Sequence, residues 1–153
     1  MSDIQSLIKQ TKFESSFQKA QVNLIYTYND YQLKTKNIFK QYGILPQHFN
    51  VLKIVKGKHP EPVSPGYIRE VILDKGRDLT RLVDKLVELD LLERHICPHN
   101  KRMKNLNITA KGIDLVKRLE KELVRWAERH NKMTEEEADL LSRLLDKFRG
   151  SER

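Results

Sequence analysis

The stretch from Arg77 to Lys111 constrains this chain more than any other. Leu79, Leu82, Val83, Leu86 and Leu89 recur at helical spacing, so one stripe of a helix is apolar and core-facing. Immediately afterwards the period changes to two. Leu92, Arg94 and Ile96 alternate with Glu93, His95 and Cys97, and Leu106 and Ile108 alternate with Asn105 and Asn107. Between the arms lies a basic tip, Pro98-His99-Asn100-Lys101-Arg102-Met103-Lys104. Alternation on both arms around a polar tip predicts a half-buried antiparallel hairpin. The helix, buried on one side, turns Arg77, Asp78, Thr80, Arg81, Asp84 and Lys85 outward.

Upstream, apolar residues at Ile4, Leu7, Ile8, Phe17, Ala20, Leu24, Tyr28 and Tyr31 predict one long opening helix to about Phe39, bent near Thr11 to Ser15. Gly43 supplies a left-handed stop. Pro46 starts a second helix with Phe49, Leu52 and Val55 on one face, ending around Lys56-Gly57. Ser64 caps a short third helix that begins at Pro65 and buries Ile68, Val71 and Ile72. Asp74-Lys75-Gly76 is the turn into the fourth.

After the hairpin, Thr109 caps a long helix with apolar positions at Ile113, Val116, Leu119, Leu123, Trp126 and Met133. Thr134 and Glu137 form a capping box for a last helix carrying Ala138, Leu141, Leu144, Leu145 and Phe148. The expected architecture is mainly α with a small β-hairpin. A short helix, a tight turn, a second helix and a basic hairpin is the layout of a winged helix-turn-helix. The expectation is a single domain over residues 1–153, with a reading unit at 45–109 flanked by long helices at 1–40 and 110–150.

Charge is polarised. The net charge is +8, yet residues 31–60 carry Lys34, Lys36, Lys40, Lys53, Lys56 and Lys58 with no acid. Residues 94–113 repeat the pattern with Arg94, Lys101, Arg102, Lys104 and Lys111, whereas the tail after Met133 is acid-rich. A basic middle favours a polyanionic partner more than evenly spread charge would. The single Cys97 excludes an internal disulfide and fits a reducing compartment. The opening MSDIQSLIKQ lacks an apolar core behind positive charge, and no apolar run approaches the ~20 residues that span a bilayer. A cytoplasmic protein with no membrane partner is expected.

Enzymatic chemistry finds no support. Cys97 and the scattered His48, His59 and His130 offer no nucleophile–base pair, and no Gly-rich phosphate loop is present. His95, Cys97 and His99 alternate and could share a strand face as metal ligands. Pro98 interrupts that strand, the neighbours are cationic and no fourth ligand is evident, so neither metal nor cofactor is expected. The apolar stripes of the first and last helices exceed what the 45–109 unit can cover. A second copy would bury the remainder and give a two-fold homodimer. Symmetry then sets two outward helices about 34–36 Å apart, one turn of B-DNA, so a near-palindromic target is expected.

LDKGRDLTRLVDKLVELDLLER followed by CPHNKRMKNLNITAKG resembles the MarR family of winged-helix transcriptional regulators. The resemblance rests on Thr80-Arg81-Leu82-Val83-Asp84-Lys85-Leu86, Leu91-Leu92-Glu93-Arg94, Asn100-Lys101-Arg102 and Ile108-Thr109-Ala110-Lys111-Gly112, and covers about Leu45 to Gly112. It implies a homodimer that binds double-stranded DNA, most often as a repressor. Arg77, Asp78, Thr80, Arg81 and Lys85 would meet the major groove; His99, Asn100, Lys101, Arg102 and Lys104 of the wing would meet the minor groove or phosphates. It also implies a small-molecule effector, for which Tyr28, Tyr31, His48 and Phe49 are the candidate crevice.

Two wing positions depart from the family pattern, Asn100 for an aspartate and Lys101 for an arginine, which bears on wing specificity. The cysteine of the family's one-cysteine peroxide sensors, near the start of the first helix, has no counterpart here. Two rivals remain open: a low-specificity architectural DNA-binding protein, and a winged-helix module docking an acidic protein.

Overall fold

The computed structural model describes residues 3–97 and 100–150; the side chains of Cys97 and of residues 100–103 lie outside the description. The chain divides into two compact units, Met1–Glu120 and Lys121–Arg153.

The first unit opens with α1 (Ile4–Ile8) and α2 (Ser16–Lys40), two helices where the apolar spacing predicts one bent helix. The interruption has local causes. Lys9 closes α1 in the left-handed conformation at φ 54°, and the Ser15 hydroxyl restarts the chain by accepting the Gln18 N–H. Gly43 (φ 68°) follows the end of α2, as expected of a glycine stop. Helix α3 (Pro46–Lys58) then begins at its proline, and α4 (Pro65–Val71) begins behind Ser64, whose hydroxyl accepts the Tyr67 N–H.

The core forms where α3 meets α4, α5 (Leu79–Glu88) and the hairpin. Val51, Leu52 and Val55 of α3, Ile68 of α4 and Leu86 of α5 are inaccessible to solvent. Each such side chain contributes about 1.5–3 kcal/mol by leaving water. Leu79, Leu82 and Val83 are buried as their spacing predicts, and Leu89 is half-buried. Val71 is exposed, contrary to expectation. Helix α4 ends there, and the chain turns extended to bury Ile72 instead.

Strands β1 (Leu92–Cys97) and β2 (Asn100–Ile108) pair antiparallel, with Leu92 opposite Ile108 and Arg94 opposite Leu106. Leu92, Leu106 and Ile108 are buried at the base of the hairpin; Ile96, expected inside, is exposed because the arms extend beyond the core there. Val63 exchanges both backbone hydrogen bonds with Leu106, at 2.9 and 2.8 Å, adding a bridge that the hairpin pattern does not reveal.

Helix α6 (Ala110–His130) passes from the first unit into the second. In the first unit its Leu115, Val116 and Leu119 are buried, and Glu120 is paired to Lys53 and Lys56 of α3. The second unit contains the rest of α6 and α7 (Glu135–Arg149), started by the expected capping box of Thr134 and Glu137. Within that unit the Trp126 and His130 rings stack at 4.7 Å.

Candidate nucleic-acid interface

The outward helix is α5, and its first turn is organised by two acidic residues. Asp78 is the N-cap: its carboxylate accepts the Arg81 N–H and also faces Arg81 Nε at 3.4 Å. Asp74, in the preceding turn, accepts from Arg77 Nε at 3.0 Å, from the Gly76 N–H and from Gln47 at 3.4 Å. The Arg77 hydrogen bond foremost, with Gln47 and Gly76, holds the Asp74 carboxyl below the usual carboxylate range. Arg77 and Asp78 therefore precede the helix instead of lying on its face, because α5 starts at Leu79. The Arg81 side chain is 88% exposed. Thr80 is exposed beside it, while Lys85 pairs with Glu88 at 3.2 Å.

The hairpin is tied to this helix. Arg94 sits on the inward-alternating side of β1, where an arginine must find a partner, and it pairs with Asp84 of α5. That brace joins two elements expected to act together. Its signal was present in the sequence as an arginine in a core-facing register position, though neither residue was among the expected site residues. Arg94 and Lys104 also line a cavity of about 240 Å³ with Pro65, Arg69, Thr80 and Leu106. Arg69 adds a cation to this surface that the hairpin and helix motifs did not identify.

Lys104 is exposed near the hairpin tip. Of the other expected wing residues, His99 lies outside the described residues; Asn100, Lys101 and Arg102 belong to β2, with side chains outside the description. Cys97 and His99 likewise leave the candidate metal triplet undescribed, and His95 pairs with Glu93 at 2.9 Å. Among the described residues no three His, Cys, Asp or Glu side chains converge on a metal-sized space.

At its other end α5 is fastened to α6. Lys111 Nζ donates to the Leu89 carbonyl at 2.8 Å, the Thr109 hydroxyl donates to the Asp90 carbonyl at 2.7 Å, and the Thr109 N–H donates to the Leu91 carbonyl at 3.2 Å. The same hydroxyl accepts the Gly112 N–H, and Asp90 turns the chain at φ 60°. The Thr-Ala-Lys-Gly run thus clasps the last turn of α5 to the first turn of α6.

The expected effector residues fall in two places. His48 is buried in the first turn of α3, where Nδ1 accepts the Leu45 N–H at 2.9 Å. Burial, and secondarily the charge of Lys85, lowers its pKa from the ordinary 6.5. Phe49 packs its ring against Phe39 at 5.6 Å. Tyr28 and Tyr31 stand on α2, both exposed, and the Tyr28 hydroxyl accepts from Gln32 at 2.8 Å. His48 and Phe49 are thus engaged in helix capping and core packing.

A capped, exposed helix after a tight helix-turn, braced to an antiparallel hairpin, defines the class: a winged helix-turn-helix protein. A MarR transcription factor from Planctomyces limnophilus superposes with a TM-score of 0.68 at 28% identity, covering 92% of this chain and 100% of that one. A Staphylococcus aureus MepR–DNA complex superposes with a TM-score of 0.70 at 19% identity, over 82% of this chain and 94% of that one. The HTH-type transcriptional regulator MhqR of Bacillus subtilis is 36% identical over 81 residues, 53% of this chain and 54% of its own length. The matched stretch thus spans about half of that relative. No family model matches the chain. The chain has the winged-helix fold of the MarR family of transcriptional regulators, and the resemblance carried by its motifs is borne out.

Proposed function

We propose that this chain is a homodimeric, sequence-specific DNA-binding transcriptional regulator, a repressor whose grip on its operator is altered by a small-molecule effector. The observation that carries this reading is the reading head itself: Arg81, exposed on a capped helix, with that helix ion-paired through Asp84 to Arg94 of a basic hairpin. Arg81 reads a base edge in the major groove, since a guanidinium can offer guanine two parallel donors. Thr80 and Lys85 flank it, Arg77 and Asp78 stand at the helix entrance, and His99, Asn100, Lys101, Arg102 and Lys104 of the wing meet the adjoining backbone. The relative MepR has been solved in complex with DNA, and MhqR is an HTH-type transcriptional regulator.

Dimerisation is supported by apolar residues that remain exposed. Phe17, Leu24, Tyr28 and Tyr31 follow helical spacing on α2, and Leu141, Leu144 and Phe148 do so on α7. Two-fold pairing would remove these stripes from water and place two copies of α5 about 34–36 Å apart on a near-palindrome. An effector would act by binding the DNA-competent and incompetent arrangements unequally, with Tyr28, Tyr31, His48 and Phe49 as the crevice to test. Operator occupancy by the dimer would exclude polymerase. Residence in the cytoplasm accords with such a target; among the described residues no helix is long and apolar enough to cross a membrane.

Selection from random duplexes at two salt concentrations tests the proposal. A palindromic consensus is expected. Arg81→Ala should relax base preference, whereas Lys101→Ala should lower affinity evenly and flatten the salt slope. Salt-steep binding without consensus would instead indicate an architectural protein, and no binding a protein-docking module.

A further inference from the structure

The segment Asp74-Lys75-Gly76-Arg77-Asp78-Leu79-Thr80-Arg81 is a tandem: an aspartate and, three residues on, an arginine, repeated after four positions. In both copies the arginine returns to its own aspartate through Nε, at 3.0 Å in the first and 3.4 Å in the second. The contact is a hydrogen bond for Arg77 and a longer ion pair for Arg81, and in both the carboxylate approaches Nε, so the opposite Nη1–Nη2 fork is the edge turned away from it. That fork is the edge that spans two acceptors in parallel. Both arginine side chains are well exposed, at 55% and 88%.

The aspartates have structural duties, Asp78 as the N-cap of α5 and Asp74 as acceptor of the Gly76 N–H. Exposed ion pairs add little to stability, however, so those duties do not account for an arginine three residues on in both copies. Carboxylates on a surface meant for a polyanion also oppose binding. We infer that Asp78 is a positioning residue that holds the Arg81 guanidinium for end-on guanine recognition, exchanging non-specific DNA affinity for base discrimination; Asp74 does the same for Arg77. Holding the side chain before contact removes part of the rotamer entropy that an unrestrained arginine loses on binding. The carboxylate simultaneously repels phosphate, so it selects against complexes in which Arg81 merely neutralises the backbone. Asp74 is additionally fixed by Gln47 and the Gly76 N–H, and its lowered pKa keeps it charged.

This inference rests on the DNA-reading role proposed above. The test is Asp78→Asn, because asparagine caps a helix as well as aspartate and leaves the start of α5 intact. Affinities of the full-length protein are measured on the selected operator, on the operator with the Arg81-read guanine replaced, and on unrelated duplex. Discrimination at that position should fall about two- to tenfold, while affinity for unrelated duplex rises. In an Arg81→Ala background, Asp78→Asn should leave the residual base preference unchanged. A merely structural role would instead lower affinity for operator and unrelated duplex together and reduce thermal stability, which would overturn the inference. So would full retention of discrimination by Asp78→Asn. A parent protein that selects no operator would overturn the DNA-reading role as well, so the two failures are distinguishable.

Discussion

Replacing Gly112 by alanine should destabilise this protein, although the same exchange in most helices stabilises it. Alanine exceeds glycine in a helix by about 1 kcal/mol. At Gly112 the added Cβ would stand 2.3 Å from the Leu91 carbonyl oxygen and 2.7 Å from Ile108 Cγ1. Relief requires the carbonyl to withdraw by roughly 1 Å to reach ordinary contact. That oxygen accepts the Thr109 N–H, so withdrawal strains the clasp between α5 and α6. Overpacking of this kind costs about 1–3 kcal/mol, and a weakened buried hydrogen bond about 1 kcal/mol more. After the helix gain is subtracted, the net loss is about 1–3 kcal/mol, which lowers Tm by roughly 3–10 °C in a chain of this size. Thermal and urea unfolding followed by circular dichroism measures it. Gly57→Ala is the control: nothing lies within 4 Å of a Cβ there, so that variant should gain about 0.5–1 kcal/mol. If Gly112→Ala melted at or above the parent temperature, the close approach of α6 to the Leu91 carbonyl would be wrong.

Asp84→Ala removes the brace between α5 and the hairpin; it should leave Tm within about 2 °C yet weaken operator binding, and unchanged affinity in a filter or polarisation assay would refute the coupling. His48 has a folded pKa below its ordinary 6.5. The unfolded chain therefore takes up a proton that the buried ring resists. Its contribution is complete above the ordinary value and is lost as pH falls from there towards the folded pKa. His48→Gln should accordingly show a shallower loss of Tm between about pH 7 and 5 than the parent, and parallel profiles would count against it. Leu24→Glu combined with Leu144→Glu should yield a single subunit in sedimentation at micromolar concentration; a persistent dimer would exclude these stripes as the interface.

Elements with explicit chemical punctuation are legible in the sequence itself. Gly43, Pro46, Ser64-Pro65 and the Thr134–Glu137 box fixed where helices stop and start, because each satisfies or removes a specific backbone group. The break between α1 and α2 was harder to see, since the apolar spacing runs on through it. Its local signals are Ser15 with Gln18, whose amide oxygen accepts the Glu14 N–H, and a polar capping pair is far less distinctive than an unbroken apolar period. Val71 and Ile96 are exposed despite their apolar phase for a related reason: period identifies a face but not where an element leaves the core. At the candidate interface, the exposure of Arg81 and Thr80 follows from helix phase. The roles of Asp74, Asp84 and Arg94 depended on partners that only the fold brings within reach: Gln47 from 27 residues away for Asp74, and one another for Asp84 and Arg94 across the junction of helix and hairpin.

The clasp at the end of α5 has a mechanical corollary. With the carbonyls of Leu89, Asp90 and Leu91 all engaged by Thr109 and Lys111, the joint to α6 has little slack. Helix α5 has 10 residues and so acts as a crank arm of about 15 Å. A tilt of about 10° at the joint would swing its leading tip by roughly 2.6 Å and the Arg81 backbone, two residues in, by about 2 Å, a large part of a hydrogen-bond length.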